Sequence, residues 1–265
     1  MSLWTALLLP AQILAHRRRW RLARVIPRLY HRGNCRIMGF DLVCHGRAVE
    51  QRPLLYVANH SSYLDIIVLA ALIDGHFVAK QEVAGWTLFG RLARLNDSVF
   101  IERRAHKSAG QRNLMKDRLE AGQRLILFPE GTSNDGNRVL PFNSTFFSLA
   151  EADPALQVQP ISISYTEVYG LPMGRGLKPL FAWYGDMALL GHLWRVLGVG
   201  RTKIEIAFHQ PITAAEWGSR KDLARHCHGV IAEGVARLNA GRGLDVGPQR
   251  VVPGKAEPTV AAALA

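Results

Sequence analysis

A histidine and an aspartate five residues apart could do chemistry in this sequence. His60 and Asp65 belong to a polar heptapeptide, Asn59–Asp65, that lies between two apolar runs. A carboxylate that accepts a hydrogen bond from one imidazole nitrogen fixes the tautomer of the ring, and the other nitrogen is then free to act as a general base. Such a pair is two-thirds of a catalytic triad, in which a hydroxyl group of the substrate could take the place of the nucleophile.

The flanking apolar runs predict a strand before this pair and a helix after it. Residues 53–58 are short, apolar and rich in β-formers, whereas residues 66–72 are typical of a buried helix. Ser62 and Asp65 have the spacing of a capping box in which Ser62 is the N-cap. Asp65 would then lie in the first turn, beside the loop that holds His60. The alternative is that Asp65 only caps the helix and His60 is an ordinary loop residue.

Two other predicted strands end in polar residues that could join the same site. Arg103 follows one short apolar strand, and its guanidinium group is a natural bidentate partner of a phosphate. Glu130, Gly131 and Thr132 follow another, and they offer a carboxylate, a close approach of the backbone to a ligand, and a hydroxyl donor. Because the carboxyl ends of parallel strands meet at one edge of a sheet, we expect the three loops to converge.

The N-terminal segment is basic and apolar. Residues 1–40 contain eight arginines and no acidic residue, and they supply most of the net charge of +12. The apolar run over residues 3–15 precedes the arginines and is shorter than the roughly 20 residues that a membrane-spanning helix needs. These features predict an amphipathic helical segment that lies on an anionic membrane surface. The alternative is an N-terminal helix that docks on the domain.

Strands that alternate with helices through most of the 265 residues predict an α/β fold with a mixed, mostly parallel sheet flanked by helices. We divide the chain into a basic apolar membrane-interface segment (residues 1–36), an α/β domain (residues 37–240) and a flexible tail (residues 241–265) that is rich in small residues. The three cysteines show no disulfide pattern, which indicates a reducing compartment. No set of residues has the spacing of a metal site.

Several individual elements are predicted from local patterns. The first strand is expected over residues 36–46, a helix over residues 85–95 and a late strand over residues 180–184. A further strand over residues 158–165 contains Pro160, which indicates an edge position or a bulge.

Four sequence blocks, in order, resemble those of the glycerolipid acyltransferase family that contains the 1-acyl-glycerol-3-phosphate acyltransferases. The blocks are the His-four-residues-Asp block at residues 59–65, the phosphate-arginine block at 99–103, the Phe-Pro-Glu-Gly-Thr block at 128–132 and the late proline strand at 158–161. Residues 79–82 also resemble a segment of the family, and the similarity covers about residues 50–215.

The resemblance implies transfer of a fatty acyl group from a thioester of acyl carrier protein or coenzyme A to the hydroxyl of 1-acyl-glycerol-3-phosphate. His60 would remove the hydroxyl proton, Asp65 would orient His60, and Arg103 would hold the phosphate of the acceptor. Residues 130–132 would position its glycerol portion. No cofactor is expected besides the thioester co-substrate. The expected partners are membrane lipids at the cytoplasmic face of the inner membrane, with the protein bound peripherally or monotopically.

Two departures from the family pattern leave the acceptor open. Many members have Arg where this chain has Ser133, and many have Lys where it has Asn143. Both changes remove a positive charge where a phosphate could bind, although Arg138 could compensate. The alternative acceptor is therefore lyso-ornithine lipid, which other members of the family acylate.

Other classes of protein fit the sequence less well. A non-catalytic protein that binds anionic membranes or nucleic acid would account for the basic N-terminus. However, the chain has no basic–aromatic recognition module, and we expect no nucleic acid as a partner. A serine hydrolase is disfavoured because the sequence contains no Gly-x-Ser-x-Gly elbow.

Overall fold

The computed structural model describes residues 1–18, 20, 22–81, 85, 90, 94–95, 97–101, 108–244 and 248–251. The α-helices are α1 (Ser2–Arg17), α2 (Leu22–Ile37), α3 (Tyr63–Leu72), α4 (Ser108–Glu120), α5 (Ser148–Ala152), α6 (Leu189–Val199) and α7 (Arg220–Asn239). The strands are β1 (Phe40–His45), β2 (Leu54–Ala58), β3 (His76–Lys80), β4 (Val99–Ile101), β5 (Arg124–Leu127), β6 (Gln157–Val168), β7 (Leu171–Pro172), β8 (Thr202–Phe208), β9 (Ile212–Thr213) and β10 (Pro248–Val251).

The described strands form one mixed sheet in the order β10-β1-β8-β6-β2-β5-β3-β4, while the short strands β7 and β9 pair with β6. The pairs β1–β8, β6–β2, β2–β5, β5–β3 and β3–β4 are parallel. The pairs β6–β8 and β1–β10 are antiparallel. The predicted mixed, mostly parallel sheet is therefore confirmed.

Helices cover both faces of this sheet, and β2 shows how the two layers are built. Successive side chains of a strand point to opposite faces. Leu54 and Tyr56 accordingly pack into an apolar cluster with residues of α2, α3 and α6. Leu55 and Val57 pack into a second cluster with α4, α5 and α7. Because all five residues of β2 are buried, the sheet lies inside the domain as the middle of three layers.

The N-terminal helices are longer than the sequence predicts. Helix α1 continues through Pro10, and α2 extends to Ile37, so the strand expected from residue 36 begins only at Phe40. The helix gives way to the strand at Gly39, whose φ of +71° lies in the left-handed region. A Cβ there would also lie 2.8 Å from the carbonyl oxygen of Gly200, so a side chain at this position would clash.

Helix α2 packs on α3. The Arg32 Nε group donates a hydrogen bond to the carbonyl oxygen of Ala71 at 3.0 Å, and Cys35 is buried in the core. Among the described residues, no helix is both long and apolar enough to span a bilayer. Contact between residues 1–36 and a membrane surface stays a prediction, as do the predicted domain boundaries.

Two local predictions are wrong. Residues 178–180 form a 3₁₀ helix that includes Pro179, and no strand follows over residues 180–184, because the Phe181 N–H turns back to the carbonyl of Lys178 at 3.0 Å. Pro160 was expected at an edge or a bulge, but β6 lies between β8 and β2, and the irregularity in its pairing lies further on, between Tyr165 and Glu167. Pro160 is tolerated in β6 because β8 pairs only from Ile161 onward, and the Pro160 carbonyl accepts the His209 N–H at 3.0 Å.

The remaining differences concern the second half of the chain and one region outside the described residues. Helix α6 was not predicted from the sequence. Strand β10 lies within the segment predicted as a flexible tail, where it pairs with β1. Most of the helix predicted over residues 85–95 lies outside the described residues.

Candidate active site

The loop that leaves β2 is fastened to its neighbouring strand by the Asn59 side chain. The Asn59 amide Nδ2 donates to the carbonyl oxygen of Ile163 at 3.0 Å, and Asn59 Oδ1 accepts the Ile163 N–H at 2.8 Å. This side chain therefore continues the pairing of β2 with β6 one residue past Ala58, where the backbone turns toward α3. The arrangement fixes the position from which His60 projects.

The carboxylate of Asp65 organises the start of α3. Ser62 is the N-cap and Asp65 is the third helical residue, as the sequence predicts. Asp65 Oδ2 accepts the backbone N–H groups of Ser61 at 2.7 Å and Ser62 at 2.9 Å. The same oxygen lies 3.1 Å from Nδ1 of His60. Because the Asp65 side chain is fully buried, these donors take the place of water around the carboxylate.

The imidazole of His60 is held on two sides and open on a third. Its ring stacks on Phe128, with the ring centroids 4.1 Å apart and an interplanar angle of 18°. Nδ1 faces Asp65, while Nε2 has no hydrogen-bond partner among the described residues. The side chain is 19% exposed, so a small part of the ring is accessible from solvent. With Asp65 as acceptor, Nδ1 carries a proton and Nε2 is the basic nitrogen.

Glu130 supports the backbone of this site. Its Oε1 accepts the His60 N–H at 2.7 Å, and its Oε2 accepts Nδ2 of Asn134 at 2.7 Å and the Leu140 N–H at 2.9 Å. Burial raises the pKa of Glu130 to about 7, against the lowering effect of these donors and of the His60 imidazole. The carboxylate therefore joins the loop after β2 to the loop after β5.

The other predicted binding residues are placed less tightly. Gly131 has a φ of +64°, and its N–H donates to the carbonyl of Phe128 at 3.0 Å in the turn that follows β5. Thr132 is exposed, and its hydroxyl makes a 3.4 Å contact with the Ser133 carbonyl. Arg103 lies outside the described residues. The structure thus brings His60, Asp65 and the loop after β5 together, and the roles of residues 130–132 and Arg103 in binding stay predictions.

Both residues that depart from the family pattern have local structural roles. The Ser133 hydroxyl donates to the carbonyl of Trp183 at 2.5 Å, which ties the loop to the segment before α6. Asn143 is the N-cap of the 3₁₀ helix Ser144–Phe147, and its Oδ1 accepts the Thr145 N–H at 3.0 Å. A lysine at position 143 could not make the Asn143 bond, since its side chain has no acceptor for the Thr145 N–H.

Three residues of the site were missed by sequence reasoning. Asn134 donates to both Glu130 and the His60 carbonyl, Tyr165 donates to Asp65, and Lys178 is a buried cation beneath the same loop. Asn134 follows Glu130 by four residues in a polar loop, which is a weak local signal. Tyr165 continues the apolar alternation of β6, a pattern that predicts only a buried core residue.

Comparison with known proteins identifies the family. Residues 41–164 match the model of the family described as Acyltransferase. The chain is 41% identical over 225 residues to a lyso-ornithine lipid O-acyltransferase of Rhizobium meliloti, with 82% of this chain and 77% of that protein covered. The chain belongs to the acyltransferase family. The acyltransferase is also 30% identical over 181 residues to a 1-acyl-sn-glycerol-3-phosphate acyltransferase of Neisseria gonorrhoeae, with 67% and 68% covered.

A solved acyltransferase has the same fold. The crystal structure of the 1-acyl-sn-glycerophosphate acyltransferase PlsC from Thermotoga maritima superposes with a TM-score of 0.58, covering 90% of this chain and 89% of that one at 22% identity. The chain is therefore an enzyme, a lysophospholipid-type O-acyltransferase. The relative with the higher identity carries the name of the alternative acceptor, lyso-ornithine lipid, and the more distant one that of 1-acyl-glycerol-3-phosphate, which was the first expectation from the sequence.

Proposed function

We propose that this acyltransferase transfers a fatty acyl group from a thioester of acyl carrier protein or coenzyme A to the free hydroxyl of lyso-ornithine lipid. The observation that carries the proposal is the 41% identity over most of both chains to an enzyme of that name. Relatives of the same name from Brucella abortus and Rhodobacter capsulatus are 40% and 38% identical. The uncharged side chains of Ser133 and Asn143 agree with an acceptor that does not depend on a phosphate at these positions.

The mechanism uses the open nitrogen of His60. Nε2 takes the proton of the acceptor hydroxyl while the oxygen of that hydroxyl attacks the thioester carbonyl carbon. The buried Asp65 carboxylate stabilises the imidazolium that forms. Collapse of the tetrahedral intermediate breaks the carbon–sulfur bond, and the imidazolium returns its proton to the departing thiolate. The products are the ester and the free thiol, and the enzyme carries no acyl group at any stage.

The oxyanion of the tetrahedral intermediate needs hydrogen-bond donors. The N–H groups of Ser61 and Ser62 both point to Asp65 Oδ2 and are already engaged. The donors to the oxyanion therefore come from groups other than these two N–H groups.

A second acceptor, 1-acyl-glycerol-3-phosphate, is the other candidate. The identity of 30% to the Neisseria gonorrhoeae enzyme supports it, and Arg103 and Arg138 could hold its phosphate. Identity to the relatives named for lyso-ornithine lipid is higher and extends over more of the chain, which is why we prefer that acceptor.

The N-terminal helices provide the membrane contact in this proposal. Leu3 is 86% exposed and Leu7 is 66% exposed on α1, although both are large apolar side chains. Arg17 ends α1, Arg18 is its C-cap and Arg28 lies on α2, and these side chains would meet anionic head groups. We propose peripheral or monotopic binding at the cytoplasmic face of the inner membrane, where both lysolipids would be reached.

The first experiment is acyl transfer by the purified full-length enzyme in mixed micelles. Lyso-ornithine lipid and 1-acyl-glycerol-3-phosphate are offered separately, each with acyl carrier protein and coenzyme A thioesters. We expect transfer to lyso-ornithine lipid, and in the His60→Ala variant a loss of kcat of about 10²-fold or more. His226→Ala, which removes an imidazole on α7, is the matched control. Transfer to 1-acyl-glycerol-3-phosphate alone would overturn the proposed acceptor, and undiminished transfer by His60→Ala would overturn the mechanism.

A further inference from the structure

Tyr165 binds the side of the Asp65 carboxylate that faces away from His60. The Tyr165 hydroxyl donates to Asp65 Oδ1 at 2.9 Å, whereas His60 and the serine N–H groups bind Oδ2. The Ser61 hydroxyl lies 3.4 Å from both carboxylate oxygens, at the outer limit of a hydrogen bond. Among the described residues, Tyr165 is therefore the principal donor to Oδ1.

The ring of Tyr165 is rigidly held. It stacks on Phe181 at a centroid distance of 5.3 Å and meets the edge of Phe40 at 6.4 Å. The carbonyl oxygen of Tyr165 accepts a hydrogen bond from Nζ of the buried Lys178 at 2.8 Å. The pairing of β6 with β8 shifts register between Tyr165 and Glu167, and such irregularities often re-aim a side chain beside an active site.

The Tyr165 hydroxyl is protonated near neutral pH and can donate to Asp65. Burial raises the pKa of Tyr165 well above its ordinary value, and the negative charge of Asp65 raises it further. A protonated phenol that is fixed on both faces can hold a carboxylate in one orientation. Without it, Oδ1 would be a buried anionic oxygen that lacks its main partner.

We propose that Tyr165 is a positioning residue of the acyl transfer site, and that it holds the Asp65 carboxylate so that Oδ2 faces Nδ1 of His60. The inference rests on the proposed acyl transfer, in which Asp65 supports the imidazolium. Tyr165 keeps its proton throughout the cycle, and none of its bonds is made or broken. It acts on the reaction only through Asp65 and His60.

The test is Tyr165→Phe, which removes the hydroxyl and keeps the stacked ring. We expect kcat to fall about tenfold, the effect of one lost hydrogen bond, while the KM for both substrates stays unchanged. The acid limb of the kcat/KM pH profile should move to lower pH, because a carboxylate that is no longer held with Oδ2 facing Nδ1 stabilises the imidazolium less. The other titratable groups described around the pair, Glu130, Lys178 and Tyr63, are unchanged in this variant.

Tyr56→Phe is the matched control. Tyr56 is a buried tyrosine on the neighbouring strand β2, and its hydroxyl donates to the carbonyl of Val49 at 2.6 Å instead of to the catalytic pair. Its loss also deletes the hydrogen bond of a buried tyrosine hydroxyl, although to a neutral carbonyl, so it controls for the general effect of removing such a hydroxyl. We expect the wild-type kcat and pH profile from this variant.

Two further measurements keep the inference separate from the proposed function. In an Asp65→Asn background, Tyr165→Phe should have little additional effect on kcat, because both changes act on the same interaction. The titration midpoint of the His60 ring protons, followed by NMR without substrate, should move to lower pH in Tyr165→Phe, because Asp65 then supports the imidazolium less. A midpoint and kcat equal to those of the wild type would overturn the positioning role. Absence of transfer to both lysolipids would overturn the proposed function, and the NMR titration would still decide the role of Tyr165.

Discussion

The Glu130 carboxylate accepts the backbone N–H of His60 at 2.7 Å. This contact joins two motifs that are 70 residues apart in the chain. Because Asn134 and Leu140 donate to the other carboxylate oxygen, Glu130 sets the distance between the histidine loop and the loop after β5. A role in building the site thus adds to the role in acceptor binding that was predicted for Glu130 from the sequence.

Glu130→Gln should disturb this junction. A glutamine has an NH₂ group in place of one carboxylate oxygen, so it cannot accept both from the His60 N–H and from the donors of Asn134 and Leu140. We therefore expect the His60 loop to shift and kcat to fall by about 10- to 100-fold. Glu130→Asp, which keeps the charge and shortens the side chain, should lose activity as well. Steady-state kinetics with the preferred acceptor measure both effects, and wild-type kcat in Glu130→Gln would contradict a structural role for the carboxylate.

The raised pKa of Glu130 also predicts a pH dependence of stability. Between its ordinary value of 4.5 and about 7, the folded protein binds more protons at this carboxyl than the unfolded chain does. The contribution of Glu130 to the free energy of unfolding therefore decreases as pH rises through this window, with a slope of at most about 1.4 kcal/mol per pH unit. The difference in the free energy of unfolding between the wild type and Glu130→Gln, measured in urea from pH 5 to 7.5, should show this slope, since groups such as His31 and His209 contribute equally to both proteins.

The Asn143 cap should be worth a measurable part of the stability. Asn143→Ala leaves the Thr145 N–H without its acceptor, and we expect the free energy of unfolding to fall by about 0.5–2 kcal/mol. Asn143→Asp keeps an acceptor and should remain close to the wild type. Thr145→Ala, which trims an exposed side chain in the same turn, is the control. Equal stability of all four proteins in urea would show that the cap contributes nothing.

Membrane binding can be tested without removing the N-terminal segment. Because α2 packs on α3, a deletion of residues 1–36 would also damage the core, so point substitutions are the sharper test. Leu3→Glu combined with Leu7→Glu should weaken co-sedimentation with anionic vesicles by at least about tenfold, since two apolar side chains no longer enter the membrane. Leu114→Glu on α4 is the control, since Leu114 is an exposed leucine on the opposite side of the sheet.

Salt should modulate the same binding. In the proposed binding, the arginines of α1 and α2 would attract anionic lipid through charge, and such attraction weakens as ionic strength rises. We expect vesicle binding by the wild type to decrease between 50 mM and 500 mM salt and to be weaker on neutral vesicles. Undiminished sedimentation of the double glutamate variant with anionic vesicles would contradict the membrane role of α1.

Arg103 offers a test of the acceptor. If its guanidinium binds an anionic group of the lysolipid, Arg103→Ala should raise the acceptor KM by about tenfold or more and leave the KM of the thioester unchanged. Arg103→Lys keeps the charge and loses the bidentate geometry, so an intermediate KM is expected. An acceptor KM equal to that of the wild type would remove Arg103 from the acceptor site.

The sequence predicts the local parts of the site well and the distant parts poorly. Ser62 and Asp65 are three residues apart on one helix, so their spacing alone determines the cap and brings Asp65 toward His60. Tyr165 reaches Asp65 across 100 residues of chain, and its spacing in β6 indicates only a buried face. Such contacts depend on which strands become neighbours, and this order is set by the packing of the whole sheet.

Pro160 illustrates the same limit. A proline inside a strand pattern normally indicates an edge, because its missing N–H cannot join a ladder. The structure instead places it in the interior of the sheet, where the neighbouring strand ends one residue before the missing donor would be required. The prediction failed because the rule considers the strand alone, whereas the neighbouring strands decide whether the missing N–H of Pro160 is needed.

The position of β1 has a consequence for how the chain is made. Both neighbours of β1, β8 and β10, come from the C-terminal part of the sequence, and the bond between His45 and Glu205 spans 160 residues. A ribosome that synthesises the chain from its N-terminus therefore releases α1, α2 and β1 long before β1 can pair. During this interval, the basic apolar helices are available to a lipid surface while the sheet is still incomplete. Attachment to the bilayer would then precede closure of the domain, and the enzyme would fold at the surface where its substrate resides.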